Sequence, residues 1–209
     1  MTTTVNKRPY RSTTRVQRAR TTRLRILAVA TRLFVEPGYA ATSVADIAAA
    51  AGVASRTVYL GFPTKRAILD EAIGLALSGE DASIAVRDRD WFRQTLEAPG
   101  PEIPALFARF TTALHVRSAA LLEAAEAAAS ADIEVAERRD RGRQHRRADL
   151  HQVAAALAAK TGGDVDYATD LLYTLGSSGV YALLVFQCGW TPERYGRWLR
   201  TTLEAALLA

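Results

Sequence analysis

An all-α fold, with a small N-terminal three-helix domain and a larger helical C-terminal one, is predicted for this chain by three observations. Apolar residues recur at helical spacing, Ser, Thr, Asp, Pro and Gly mark helix starts and stops, and residues 42–59 read as two short helices around one tight turn. The length of 209 residues leaves room for one small and one medium domain, and an apolar content of 49% suffices for a substantial core.

The first element is an amphipathic helix. Ile26, Ala30, Leu33 and Phe34 stand at i, i+4, i+7 and i+8, which makes one buried stripe, and Pro37-Gly38 ends it. Tyr39 then folds back onto the core. Ser43 starts the next helix and, with Asp46 three residues on, forms an acidic variant of the capping box. Ile47 and Ala48 face inward, and Gly52 falls where that helix must end, because a left-handed residue is cheapest as glycine. Val53 and Val58 pack back against Ile47. Ser55, Arg56, Thr57 and Tyr59 are left pointing outward, each able to donate hydrogen bonds to phosphate or base acceptors. Such a helix pair is a DNA-reading device in which the first helix braces the second in the major groove. Another helix opens at Phe62-Pro63-Thr64-Lys65-Arg66, with Thr64 as its cap. Two cations in a first turn oppose the helix dipole, and a docked phosphate would relieve that opposition, so Lys65 reads as a phosphate contact.

Leu33-Phe34, Gly38-Tyr39, Thr42-Ser43-Val44, Asp46-Ile47-Ala48, Ala51-Gly52-Val53, Thr57-Val58-Tyr59 and Phe62-Pro63-Thr64-Lys65 together resemble the N-terminal domain of TetR-family transcriptional regulators. The resemblance implies an all-helical homodimer whose N-terminal domain binds a palindromic double-stranded DNA operator and whose C-terminal domain binds a small-molecule effector. Carried over by position, it makes Ser43, Ser55, Arg56, Thr57, Tyr59 and Lys65 the DNA contacts. Two positions depart from the family's pattern. Ala54 stands where a serine or threonine often caps the recognition helix, which shifts that cap to Ser55, and Gly61 stands where a histidine or other phosphate-contacting side chain is frequent. The implied domains are a flexible basic arm at residues 1–20, the helix-turn-helix domain at 21–66 and a helical ligand-binding and dimerisation domain at 67–209.

Charge is distributed accordingly. Residues 1–66 hold twelve Lys/Arg against Glu36 and Asp46, a balance of +10, and the remainder carries −5, for the chain's net +5. A basic head on an acidic body is the electrostatic footprint of a DNA-binding protein with a separate sensor domain. Arg outnumbers Lys 24 to 3, so the placement of the charge says more than its identity. Arg11, Arg15, Arg18 and Arg20 belong to a basic arm that also holds Arg8, Arg23, Arg25 and Lys7, with no acidic partner in the tract, and the arm is expected to lie along phosphates or in the minor groove.

Past the helix that opens near Thr64, residues 78–100 read as a connector with a short helical anchor at Trp91-Phe92. Ile103, Leu106, Phe107, Phe110 and Leu114 mark a helix starting at Pro101 or Pro104. A second helix runs from about Ala131 to Lys160 and stops at Thr161-Gly162-Gly163. A third, capped by Asp164 or Asp166, is expected to run unbroken through Cys188 to Gly189, with Gly176-Ser177-Ser178-Gly179 allowing either close helix approach or a kink. Thr191-Pro192-Glu193 starts the last, which carries Tyr195, Trp198, Leu199 and Leu203. The effector pocket is expected among Phe107, Phe110, Leu114, His115, Leu121, Leu122, Tyr173 and Tyr181, since aromatics beside a few polar groups are typical of small-molecule sites. The basic run at 138–147 reads instead as a solvated helix face with local ion pairs.

The lone Cys188 excludes an intrachain disulfide and is expected to be packed and inert between Phe186 and Trp190. No apolar run reaches membrane-spanning length and no signal-peptide core opens the chain, which leaves the cytoplasm as the default address. Glycine-rich phosphate loop, nucleophile elbow and His/Glu metal spacing are all missing, so neither enzyme activity, cofactor nor metal is expected. The function expected is a ligand-responsive dimeric repressor, with an activator of the same fold or a nonspecific architectural DNA-binding protein as the alternatives.

Overall fold

The structure, a computed structural model, describes residues 10–79 and 89–208, with side chains from residue 15 onward. Expectations for residues 1–9 and for much of the 78–100 connector lie outside the described residues. Helices and turns make up the described chain, in two compact units that divide between Ala72 and Ile73. That division and the one expected at 66/67 both fall inside a single helix.

The first unit is built on α1 (Tyr10–Leu33), which passes into one π-helical turn, Phe34–Gly38, and then on α2 (Val44–Ala50), α3 (Ser55–Gly61) and the start of α4 (Lys65–Ser78). Tyr10 to Arg20, expected as part of a flexible arm, are the first turns of α1. Its buried stripe is Ile26, Leu27, Ala30 and Phe34, with Leu33 only partly covered. Tyr39, Ile47, Ala48, Ala51, Val58, Phe62, Ile68 and Leu69 of the same unit are buried too, and the Tyr39 ring lies 5.3 Å from that of Phe34. Arg23 does have an acidic partner. Its guanidinium pairs with Glu71, donates to the Gly61 carbonyl at 3.0 Å and lies 4.2 Å from the centre of the Phe62 ring, which ties α1 to α4.

In the second unit α5 (Asp90–Glu97) and a 3₁₀ turn, Gly100–Glu102, lead into α6 (Ile103–Ala129). Asp132 caps α7 (Ile133–Thr161) and Asp164 caps α8 (Val165–Leu175), each accepting from backbone amides of the first turn. The long third helix expected here is broken. After Leu175 the chain turns at Gly176-Ser177, restarts under a Ser177 cap as α9 (Ser178–Tyr181) and passes into a π-helical segment, Ala182–Gln187, bent by 45° from α8. The break has a steric partner: a Cβ on Gly176 would lie 2.7 Å from Cζ of Phe107 and 2.8 Å from the Leu172 carbonyl oxygen. Thr191 then caps α10 (Pro192–Leu207), whose Tyr195, Leu199 and Leu203 are fully buried. The core joins those three to Ile103, Phe107 and Ala119 of α6, Leu150, Val153 and Leu157 of α7, and Leu172 of α8. Cys188, expected to be packed, is exposed beside an exposed Phe186. Among the described residues no single helix is long and apolar enough to cross a membrane.

Candidate functional site

The recognition pair is held by groups the sequence names and by one it assigns elsewhere. Ser43 and Asp46 form the full capping box of α2: the Ser43 hydroxyl accepts from the Asp46 amide at 3.1 Å, and the carboxylate takes the Ser43 amide and hydroxyl at 2.9 and 2.6 Å. Those two hydrogen bonds from Ser43 hold the Asp46 carboxyl below its usual pKa. Both donors of Ser43, placed among the DNA contacts by resemblance, are thus taken up in bracing α2. Gly52, at φ +63°, makes the turn, and the Val53 amide returns to the Ala48 carbonyl at 3.0 Å. α3 begins at Ser55 with Ala54 in the cap position and no side-chain cap, so the shifted cap expected of Ser55 is not made. Val58 is the buried anchor of α3, and Ser55, Arg56, Thr57, Tyr59 and Leu60 are exposed, Leu60 to 80%.

Lys65 is a brace as well as a cation. Its Nζ donates to the carbonyls of Tyr39 and Thr42 at 2.9 and 3.0 Å and lies 4.1 Å from the centre of the Tyr39 ring. The Thr42 hydroxyl, buried, is 2.9 Å from the carbonyls of both Leu33 and Gly38. The turn before α2 is therefore fixed from both sides, and the ammonium keeps one N–H for anything outside. Arg15, Arg18 and Arg20 stand exposed on α1, whereas for Arg11 the backbone alone, in the first turns of that helix, is described.

The second unit holds a cavity of about 510 Å³, within the size range of small-molecule sites. Of the eight residues expected there, Phe107, Phe110 and Leu114 line it, joined by Trp91, Phe92 and Thr95 of α5, Gly74, Leu77 and Ser78 of α4, and Leu150 and Val153 of α7. Leu121 is buried elsewhere in the core and Leu122 is half-buried, both off the wall. His115, Tyr173 and Tyr181 stand behind it. His115 is buried with Nε2 2.9 Å from the Gly176 carbonyl oxygen, and the Tyr181 and Tyr195 rings lie 5.3 and 6.4 Å away. Burial pushes its pKa down to about 4, helped by the charge of Arg146 and opposed by the Gly176 bond. Burial likewise pushes the Tyr195 phenol up, and that hydroxyl donates to the Leu175 carbonyl at 3.0 Å.

Residues 26–72 match the family model described as bacterial regulatory proteins, tetR family. The N-terminal unit is a TetR-family helix-turn-helix domain. Most of the chain shares its fold with solved structures of low sequence identity. A transcriptional regulator of the TerR/AcrR family from Aquifex aeolicus VF5 superposes with a TM-score of 0.69 at 17% identity, covering 88% of this chain and 99% of its own. A Clostridium perfringens protein named for the regulation of fatty acid metabolism gives 0.63 at 16%, with 88% and 99% covered, and Salmonella enterica GusR gives 0.53 at 23%, with 90% and 96%. No curated protein sequence matches the chain. The fold is that of a DNA-binding transcriptional regulator.

Beyond the TetR-type head, sequence reasoning missed Trp91, Leu77 and above all Arg146. The first two had a signal in their helical spacing beside apolar neighbours. Arg146 is hidden in a run several of whose members carry ion pairs as expected: Arg139 and Arg143 pair with Glu126, and Arg141 with Glu137, while Arg138 and His145 also line the cavity.

Proposed function

We propose that the chain is a ligand-responsive repressor that binds a palindromic operator as a homodimer in the cytoplasm and is released by a small apolar or amphipathic effector. The observation that carries this reading is the course of α4. That helix starts at Lys65, bonded to the turn before α2, and its later residues Gly74, Leu77 and Ser78 line the cavity. A ligand that displaces Leu77 acts on the same helix whose first residue braces the recognition pair.

Arg56 and Tyr59, with the exposed Leu60 against a thymine methyl, are suited to base edges, and Ser55, Thr57, Arg15, Arg18, Arg20 and the remaining N–H of Lys65 to phosphates. Two α3 helices must lie ~34–36 Å apart to enter successive major grooves. An effector needs only higher affinity for a conformation in which that spacing is lost. Tyr167, Leu183 and Phe186, each more than half exposed, offer apolar surface to the second copy. An activator would use the same parts with the opposite preference. A purely architectural DNA-coating role leaves the cavity without a use, and the reading assigns the chain no catalytic step.

The test is selection from random duplexes by the purified protein at near-physiological salt, followed by sequencing. Recovery of a palindrome with two half-sites is the expected result; enrichment of base composition alone would sink the operator reading in favour of general DNA coating.

A further inference from the structure

The chemistry of the cavity wall narrows the effector. Its broad side is aromatic and aliphatic, with Trp91, Phe107 and Phe110 prominent and the Trp91 and Phe110 rings 5.2 Å apart. α7 brings charge to the same wall through Arg138, Arg146 and Asp149, with His145 and Gln152 as further polar groups. Along this helix Arg139, Arg141, Arg143 and Arg147 all reach a carboxylate, Arg147 through Asp170 at 2.7 Å. Arg146 turns inward and, among the described residues, meets none. Its Nη2 donates to the carbonyls of Tyr173 and Gly176 at 2.9 and 2.8 Å, and its guanidinium carbon lies 4.7 Å from the centre of the Tyr173 ring. Two of five N–H donors are used in this way, which leaves those on Nη1 and Nε. A cation drawn out of water without a counter-ion is held at a cost. Burial accordingly lowers the pKa of Arg146. Asp149 and Arg138 each have an interaction of their own on this wall, and neither is among the groups that meet Arg146.

We infer that the effector is a lipophilic anion, a carboxylate or similar oxyanion that takes the remaining N–H groups of Arg146 while its apolar body lies against Trp91, Phe107 and Phe110. The inference rests on the reading of this cavity as the effector site. Arg146 also sets where the signal enters. Its two carbonyl acceptors are at the end of α8 and at the break after it, and the Gly176 carbonyl is the one that His115 also holds. An anion on Arg146 therefore acts on the joint between α8 and α9.

The experiment titrates the full-chain protein with decanoate, decanol and decyltrimethylammonium, each below its micelle concentration, and follows Trp fluorescence and release from the selected operator. Decanoate is expected to bind at least about ten-fold more tightly than decanol, the scale of one charge-assisted hydrogen bond. Arg146→Gln should erase that preference, and Arg146→Lys should restore part of it. Equal binding of decanoate and decanol, or preference for the ammonium, overturns the anion inference and leaves the effector cavity standing. Failure of all three to bind overturns both. The comparison of the three probes on the native protein needs no variant, so it decides the matter even if Arg146→Gln does not fold.

Discussion

His115 illustrates how a single buried group couples packing to pH. Its Nε2 faces a carbonyl oxygen, which can only accept, so the proton sits on that nitrogen and the buried Nδ1, which has no hydrogen-bond partner among the described residues, is left bare. The folded form holds the ring neutral down to a pKa of about 4, against the ordinary 6.5 of the unfolded chain. Between those values the unfolded state binds more protons, so stability is complete above pH 6.5 and is lost as pH falls toward 4. By pH 5 the loss amounts to about 2 kcal/mol, before protonation of carboxylates held low in the fold, such as Asp46 and Glu193, adds to it. Urea unfolding at pH 7.5 and pH 5 should show this difference in the native protein and lose most of it in His115→Gln. A variant with the full native difference would mean that His115 is not the group responsible. Lys65 makes a second residue-scale case. The two cations of the first turn of α4 are visible in sequence as a conflict with the helix dipole, and a phosphate is one resolution. The fold supplies another, since the carbonyls of Tyr39 and Thr42 come from a turn 26 and 23 residues away, a distance no local rule bridges. Lys65→Met should therefore lower stability by about 1–3 kcal/mol in the absence of DNA, read as a fall in the thermal midpoint. An unchanged midpoint with weakened DNA binding would return Lys65 to a purely phosphate-contacting role.

At the scale of elements, helix boundaries were legible where a cap or a stop has local chemistry. Ser43-Asp46, Asp164, Thr191-Pro192 and Gly162 all act where their side chains or conformational freedom say they should. The break in the long third helix was only half legible. Gly176-Ser177-Ser178-Gly179 permits close approach or a kink, and the choice depends on Phe107, almost 70 residues earlier, whose ring occupies the space a side chain at 176 would need. The two glycines of that tetrad are consequently unequal. Gly176→Ala should destabilise the protein by about 1–3 kcal/mol through overpacking. Gly179→Ala has no atom within 4 Å of the new Cβ and lies in a helical turn, so it should be neutral or stabilising by up to about 1 kcal/mol. Chemical denaturation of the pair measures this directly, and equal effects would mean that Phe107 yields freely. The cavity follows the same logic. Phe107, Phe110 and Leu114 were legible as a stripe on one helix, whereas Arg146 was not, because the inward turn of one arginine in a charged run depends on which carbonyls lie behind it.

At the scale of the whole molecule, the charge asymmetry already separates a head that prefers polyanions from a body that does not. A helix-turn-helix with one α3 reads a single half-site, and the affinity of a palindrome comes from holding two of them at fixed spacing. On the operator reading proposed above the body pairs, and its exposed apolar side chains are the surface proposed for that contact. Leu183 and Phe186 are 52% and 54% exposed on the segment after α9, and Tyr167 is 54% exposed on α8. Apolar surface of that kind, left to water in a single copy, gains by burial against its own image, since a two-fold contact brings the same patch from both sides. Charges placed in such a patch meet their own copies across the axis. Leu183→Glu with Phe186→Glu should accordingly shift sedimentation from dimer to monomer at micromolar concentration and abolish binding to the full palindrome. Weak, salt-sensitive binding to any duplex should survive, because the cations of the head are untouched. A double variant that still sediments as a dimer would move the interface off this segment, and one that became monomeric yet kept full palindrome affinity would refute the requirement for pairing itself.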